Sequence, residues 1–170
     1  GKVLKLDLNE AAQEVKHVNL ETSSAIGIQF AARCTTIKPS GTSSLVLGTS
    51  SGIHAWHAPY YIRRVRIGKN EALYDYLQHA HPELLEDDLL NSRQAIICVP
   101  QRAPEGSIVR TEPTLNLLER IKKFNGEWIR NGFRRGDNAN NVSATVSIPD
   151  GDWPAVGQSP SGIDTVADTL

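Results

Sequence analysis

Cysteine is scarce: Cys34 and Cys98 are the two that 170 residues contain, and no CxxC pair is present. A disulfide-stapled scaffold is therefore not expected, and a reducing, cytoplasmic setting is the default. Net charge is nearly absent as well, at −1 from 18 Lys and Arg against 19 Asp and Glu. That balance gives no general attraction to nucleic acid or to an anionic membrane, so no direct nucleic-acid partner and no membrane partner is expected. No apolar run approaches the roughly 20 residues needed to span a bilayer, and the first residues lack the basic-then-apolar order of a leader. Internal repeats are missing, and low complexity appears only toward the C-terminus. The length suits one domain with a real core and is short for two of ordinary size.

What is present begins with Thr35-Thr36-Ile37-Lys38-Pro39-Ser40-Gly41-Thr42-Ser43-Ser44-Leu45. Thr35 to Lys38 are mostly β-branched, Pro39 has no N–H to extend a ladder, and Ser40-Gly41 permit a tight turn. A short helix over Ser43 to Leu47, stopped near Gly48, then leaves backbone N–H groups at its start without intrahelical partners. Two readings stay open at this point. Ser and Thr are ordinary helix caps. Equally, free amides, the positive end of a helix and the hydroxyls of Ser40, Thr42, Ser43 and Ser44 suit a phosphate, although the stretch is not the GxxxxGK[ST] loop.

Apolar spacing at Leu8, Ala11, Ala12, Val15 and Val18 predicts a helix from Leu8 to Phe30, with Asp7 or Asn9 as its cap and Gly27 near its end. Tyr60 to Ile67 reads as a strand. Its arginines, Arg63, Arg64 and Arg66, are expected on a solvated edge or paired with acids such as Glu86, Asp87 and Asp88. Glu71 to His79 reads as a helix ended before Pro82, and Glu83 to Asn91 as a turn or a second short helix. The continuous apolar run Gln94 to Pro100 suits a strand buried on both faces, with Cys98 packed within it. Thr111 to Phe133 carries the clearest amphipathic stripe, Leu115, Leu118, Ile121, Phe124 or Asn125, Trp128 and Ile129, with Thr111 as the expected cap and Arg130, Arg134 and Arg135 complementing the far end. Asn141 to Ile148 alternates apolar and polar residues as a strand does. With the helix between, a crossover and parallel pairing to Ile96 through Val99 are expected.

His54-Ala55-Trp56-His57 has the HxxH spacing of a metal pair on a helix. No Asp or Glu lies between Lys38 and Glu71, however, and Gly52 and Pro59 disfavour a helix, so no metal is expected. A loop whose His and Trp pack over a neighbouring pocket is the simpler reading.

The wording from Cys34 through Ser44, followed by Gly48-Thr49-Ser50-Ser51-Gly52-Ile53-His54-Ala55-Trp56-His57-Ala58-Pro59-Tyr60-Tyr61-Ile62-Arg63-Arg64-Val65-Arg66, resembles the large catalytic chain of ribonucleotide reductases, most closely the adenosylcobalamin-dependent class II type. Asn140-Asn141-Val142-Ser143-Ala144-Thr145-Val146 and Trp153-Pro154-Ala155-Val156-Gly157 fit the same family in the same order. The resemblance runs from about Ala31 to Gly157 and is most specific at Pro39 to Ser44.

That resemblance implies an α/β fold: a fragment of the family's ten-stranded α/β barrel, from the C-terminal part of the catalytic barrel, with parallel strands and crossover helices. Residues 1–157 would be a partial barrel domain and 158–170 a disordered tail. It implies further that Pro39, Ser40, Gly41, Thr42, Ser43 and Ser44 hold the phosphates of a ribonucleotide substrate, with His54 near the substrate. The parent enzyme would reduce a ribonucleoside di- or triphosphate by a thiyl-radical mechanism. It would use adenosylcobalamin, bound mostly by residues outside this piece and not by this chain, and a thioredoxin-like reductant. Neither cysteine matches the family's radical or redox positions, so no catalytic residue is assigned, and the piece, lacking the remainder of the reductase chain, is expected to be inactive alone. The alternatives are a non-catalytic phosphate- or nucleotide-binding α/β module and a structural piece without a ligand.

Overall fold

Asp7 opens the first helix, accepting the amide hydrogens of Asn9 and Glu10 on one carboxylate oxygen at 2.9 and 3.1 Å. The computed structural model describes residues 6–153, and the expected tail at 158–170 lies outside them. Helix α1 spans Leu8–Ala25, and Gly27 takes the positive φ of +74° that a helix exit favours. It therefore stops short of Phe30. A short helix α2, Thr42–Val46, follows the Ser-Gly turn and exits at Gly48, φ +62°.

The described chain divides into two compact units, residues 57–109 and the segments on either side of them. The 57–109 unit is built on a three-stranded sheet. Strand β1 (Tyr60–Gly68) leads through helix α3 (Ala72–Ala80) and a 3₁₀ turn (Pro82–Leu84) to β2 (Leu85–Asp87) and β3 (Gln94–Arg102). The order is β1-β3-β2, and both pairings are antiparallel, with Tyr60 opposite Arg102 and Leu85 opposite Ile97. The expected parallel pairing of Ile96 through Val99 with Asn141 to Ile148 is not formed. The apolar run of β3 reflects its place as the central strand, where it gains two ladders, and not burial beneath crossover helices. Two of the three arginines pair with the expected acids, Arg64 with Glu86 at 2.9 Å and Arg66 with Asp88 at 2.8 Å, and Lys69 meets Asp87 at 2.6 Å.

In the other unit, helix α4 (Thr114–Phe124) passes into a π turn, Asn125–Ile129. Its stripe is the core: Leu118, Ile121 and Ile129 are almost fully buried with Val142, and Leu115, Phe124 and Trp128 pack around them. Each such residue removed from water contributes about 1.5–3 kcal/mol. Thr111 is not the cap. The helix begins at Thr114, whose amide and hydroxyl both donate to Asp152, at 2.9 and 2.7 Å. Those two bonds hold the Asp152 carboxyl below the usual carboxylate range, the amide having the larger effect.

Residues 141–148 keep the burial alternation of a strand, with Val142, Ala144, Val146 and Ile148 all on the core. Among the described residues, however, their ladder is one parallel bridge, Ile37 with Val142. Thr35 to Lys38 form no strand either; Ile37 alone among them takes part in a bridge. Arg134 does not cover the end of its own helix. It donates to the Lys16 carbonyl of α1 and lies 4.9 Å from the centre of the Phe30 ring.

Candidate functional site

The Ser40-Gly41 turn is held from beneath. Its anchor is the stretch before it: the Cys34 amide donates to the Gly132 carbonyl, the Thr35 hydroxyl to the Trp128 carbonyl, and the Ser143 amide to the Ile37 carbonyl, at 2.8 to 2.9 Å. Asn140 adds a side-chain amide bond to the Thr35 carbonyl at 2.9 Å. Cys34 to Ile37 are thus each tied to residues from 128 to 143. Trp128 donates its indole N–H to the Thr36 carbonyl at 3.3 Å.

Within the turn, two of the four hydroxyls face inward. Ser40 Oγ, one residue before the Gly41 cap, accepts the Ser44 amide at 3.1 Å. The buried Ser44 hydroxyl donates to the Ser40 carbonyl at 2.8 Å. Thr42 and Ser43 are exposed, as is Gly41. The amides of Gly41, Thr42 and Ser43 have no hydrogen-bond acceptor among the described residues. Three consecutive donors on exposed residues are therefore left to solvent or to an anion. At five residues, α2 is too short for a full macrodipole, so the donors act mainly as individual N–H groups.

The loop that follows folds back on this turn. Ser51 donates its hydroxyl to the Ser40 carbonyl at 2.7 Å. Gly52, at φ +59°, lies so close to Lys38 that a Cβ would stand 2.9 Å from the Lys38 carbonyl oxygen. Only glycine fits there. His54 places Nδ1 at 2.8 Å from the Ser51 carbonyl and Nε2 at 2.9 Å from the Thr145 amide.

The two histidines of the HxxH spacing fall in different units. Both nitrogens of His54 are engaged, and His57 belongs to the sheet unit, where its ring meets Tyr61 edge-on at 5.5 Å. No group of three His, Cys, Asp or Glu side chains is placed to hold a metal among the described residues. His54 instead lines a small pocket of about 100 Å³ with Arg110, Glu112, Thr114, Thr145 and Ser147. Glu112 forms a bidentate pair there with Arg120 at 2.6 and 2.9 Å. Cys98 sits half-buried in β3, where burial first and the Glu86 carboxylate second push its thiol up.

The structure connects the Ser40 turn with His54 through Ser51. Sequence reasoning missed Ser51 and Thr145. Ser51-Gly52 carries a turn signal that pointed to the first, while nothing local marks Thr145.

No protein-family model matches the chain. Among curated proteins it is 28% identical over 149 residues to the adenosylcobalamin-dependent ribonucleoside-triphosphate reductase of Euglena gracilis, covering 85% of this chain and 19% of that one. It is 30% identical over 123 residues to the probable adenosylcobalamin-dependent ribonucleoside-triphosphate reductase of Dictyostelium discoideum, covering 72% of this chain and 15% of that one. A third relative, from Lacticaseibacillus paracasei and carrying the name of the first, is 36% identical over 81 residues, or 48% of this chain and 11% of its own. The chain thus spans less than a fifth of the length of these relatives. In fold it matches the crystal structure of a B12-dependent, class II ribonucleotide reductase with a TM-score of 0.70 at 20% identity, over 88% of this chain and 20% of that one. The chain is thus a homologue of one segment of the adenosylcobalamin-dependent ribonucleoside-triphosphate reductases.

Proposed function

We propose that this chain is a piece of the catalytic barrel of a ribonucleotide reductase whose parent protein reduces ribonucleoside triphosphates to deoxyribonucleotides through a cysteine thiyl radical. Its own contribution is the turn Pro39 to Ser44, which receives the substrate's phosphates, with His54 close by through Ser51. The observation that carries this reading is the row of amides at exposed Gly41, Thr42 and Ser43 that have no acceptor among the described residues, with the Thr42 and Ser43 hydroxyls beside them. Donors already oriented by a braced turn need no reorganisation when the anion arrives. The parallel bridge from Ile37 to Val142 supports placing residues 1–157 as part of a parallel barrel that the rest of the parent chain completes.

The relatives' names include adenosylcobalamin. Two cavities of this chain, beside His54 and beside Tyr60, do not fit that group. The pocket beside His54, at about 100 Å³, and a second of about 390 Å³ beside Tyr60 and Arg102 are too small to enclose a corrinoid, and His54 has no free ring nitrogen to offer cobalt. The cofactor is assigned to the remainder of the parent chain, as is the exchange with a thioredoxin-like reductant. No step here runs through either. Neither cysteine is offered as the radical carrier, and the isolated chain is inactive.

Calorimetry with cytidine triphosphate, combined with chromatography of the nucleotides afterwards, tests the proposal. Heat of binding with no deoxynucleotide product is expected. Absence of binding removes the phosphate role from Pro39 to Ser44, and product formation by the piece alone contradicts its dependence on the rest of the chain.

A further inference from the structure

His54 is fixed by two unlike partners. A carbonyl oxygen only accepts, so the ring hydrogen sits on Nδ1 toward Ser51; an amide N–H only donates, so Nε2 offers its lone pair to Thr145. Neither nitrogen remains for a ligand. Ser51 then passes the restraint on. Its hydroxyl donates to the Ser40 carbonyl, which also accepts the Ser44 hydroxyl, while the Ser40 side chain accepts the Ser44 amide. Gly52 presses the same loop against the Lys38 backbone. A connected set of hydrogen bonds therefore runs from Thr145, 91 residues away from His54 in sequence, to the base of the turn that presents the Gly41, Thr42 and Ser43 amides.

We propose that His54 is a positioning residue: it braces the Ser40–Ser44 turn against the segment around Thr145, acting through Ser51, and does not itself touch the anion. This deepens the phosphate-site reading and rests on it for its functional meaning. The charged groups beside the imidazole, Arg110 and Glu112, line the small pocket with it. Truncating the ring would therefore enlarge that pocket and release the turn, while the Gly41, Thr42 and Ser43 amides keep their identity.

The test compares the unsubstituted chain with His54→Ala, His54→Gln and His54→Asn by amide hydrogen exchange without ligand, and by calorimetry with inorganic tripolyphosphate. A Gln side-chain oxygen reaches the position of Nε2 and can accept the Thr145 amide; Asn is too short. Loss of one such bond is worth about tenfold. His54→Ala and His54→Asn are expected to exchange about tenfold faster at Thr145 and Ser44 and to bind tripolyphosphate about tenfold more weakly, whereas His54→Gln recovers most of both. If Thr145 exchanges faster in His54→Ala but Ser44 does not, the brace is overturned even where tripolyphosphate still binds. If the exchange pattern holds and the unsubstituted chain ignores tripolyphosphate, the brace stands and the phosphate reading falls.

Discussion

Thr35 occupies the space that a side chain on Gly132 would need. Its hydroxyl donates to the Trp128 carbonyl at 2.8 Å, and a Cβ at position 132 would lie 1.9 Å from that same hydroxyl oxygen. The Cys34 amide bonds the Gly132 carbonyl, so this contact joins the end of the π turn to the strand-like run entering the Ser40-Gly41 turn. Gly132→Ala should destabilise the chain by about 1–3 kcal/mol or more, the range for overpacking a tight site. Thr35→Val keeps the shape, leaves the clash unmade and loses the hydroxyl bond, costing about 1 kcal/mol. Urea unfolding followed by circular dichroism orders the two; a neutral Gly132→Ala would mean the two segments are not packed as described.

Glu112 and Arg120 form a mostly buried fork, with side chains 13% and 21% exposed. Removing one partner leaves the other charge without its counter-ion, so Arg120→Ala should cost about 3 kcal/mol, at the lower end for a buried pair. The double replacement Glu112→Ala with Arg120→Ala should cost less than the sum of the singles. Additive losses in a double-mutant cycle would show that the fork contributes no coupling.

The Asp152 carboxyl titrates below its unfolded value because Thr114 donates two bonds to the ionised form. A depressed carboxylate stabilises above the unfolded value and loses that contribution as the pH falls through the folded one. Stability should therefore drop below pH of about 3.9, the ordinary aspartate value. Asp152→Asn should flatten that part of the profile while lowering stability at neutral pH. An acid limb identical in both chains would contradict the cap.

Burial, reinforced by Glu86 against the opposing Arg64, raises the Cys98 thiol above its usual range. Little thiolate is then present at neutral pH. Iodoacetamide should modify Cys98 more slowly than a free cysteine peptide, read by mass spectrometry. Modification at the peptide's rate would count against the half-buried placement.

Much of this was legible because the signals were local. Asp7 caps, Gly27 and Gly48 terminate, and the stripe from Leu115 to Ile129 packs inward, all as spacing and turn chemistry predict. The pairing of Arg64 and Arg66 with Glu86 and Asp88 followed from charge alone. What failed was tertiary. Thr111 yielded its capping role to Asp152, whose carboxylate arrives from 38 residues away. The alternation from Val142 to Ile148 reported burial on one face, which a strand and an unpaired extended segment share; ladder partners cannot be read from it. Glu83 to Asn91 concealed β2, three residues long, because a short edge strand has too few positions to show a period. In the site, Ser40 and Ser44 had the right chemistry to be outward donors, but each found a nearer partner in the other.

The central claim is that the amides of Gly41, Thr42 and Ser43 receive phosphate. Titrating the ¹⁵N-labelled chain with cytidine triphosphate and following its amide resonances tests this directly. Saturable shifts concentrated at Gly41, Thr42 and Ser43, with smaller ones at Ser51 and Thr145, are the predicted result; resonances of that turn unmoved at saturating nucleotide, or shifts centred on Tyr60 and Arg102 instead, would contradict it.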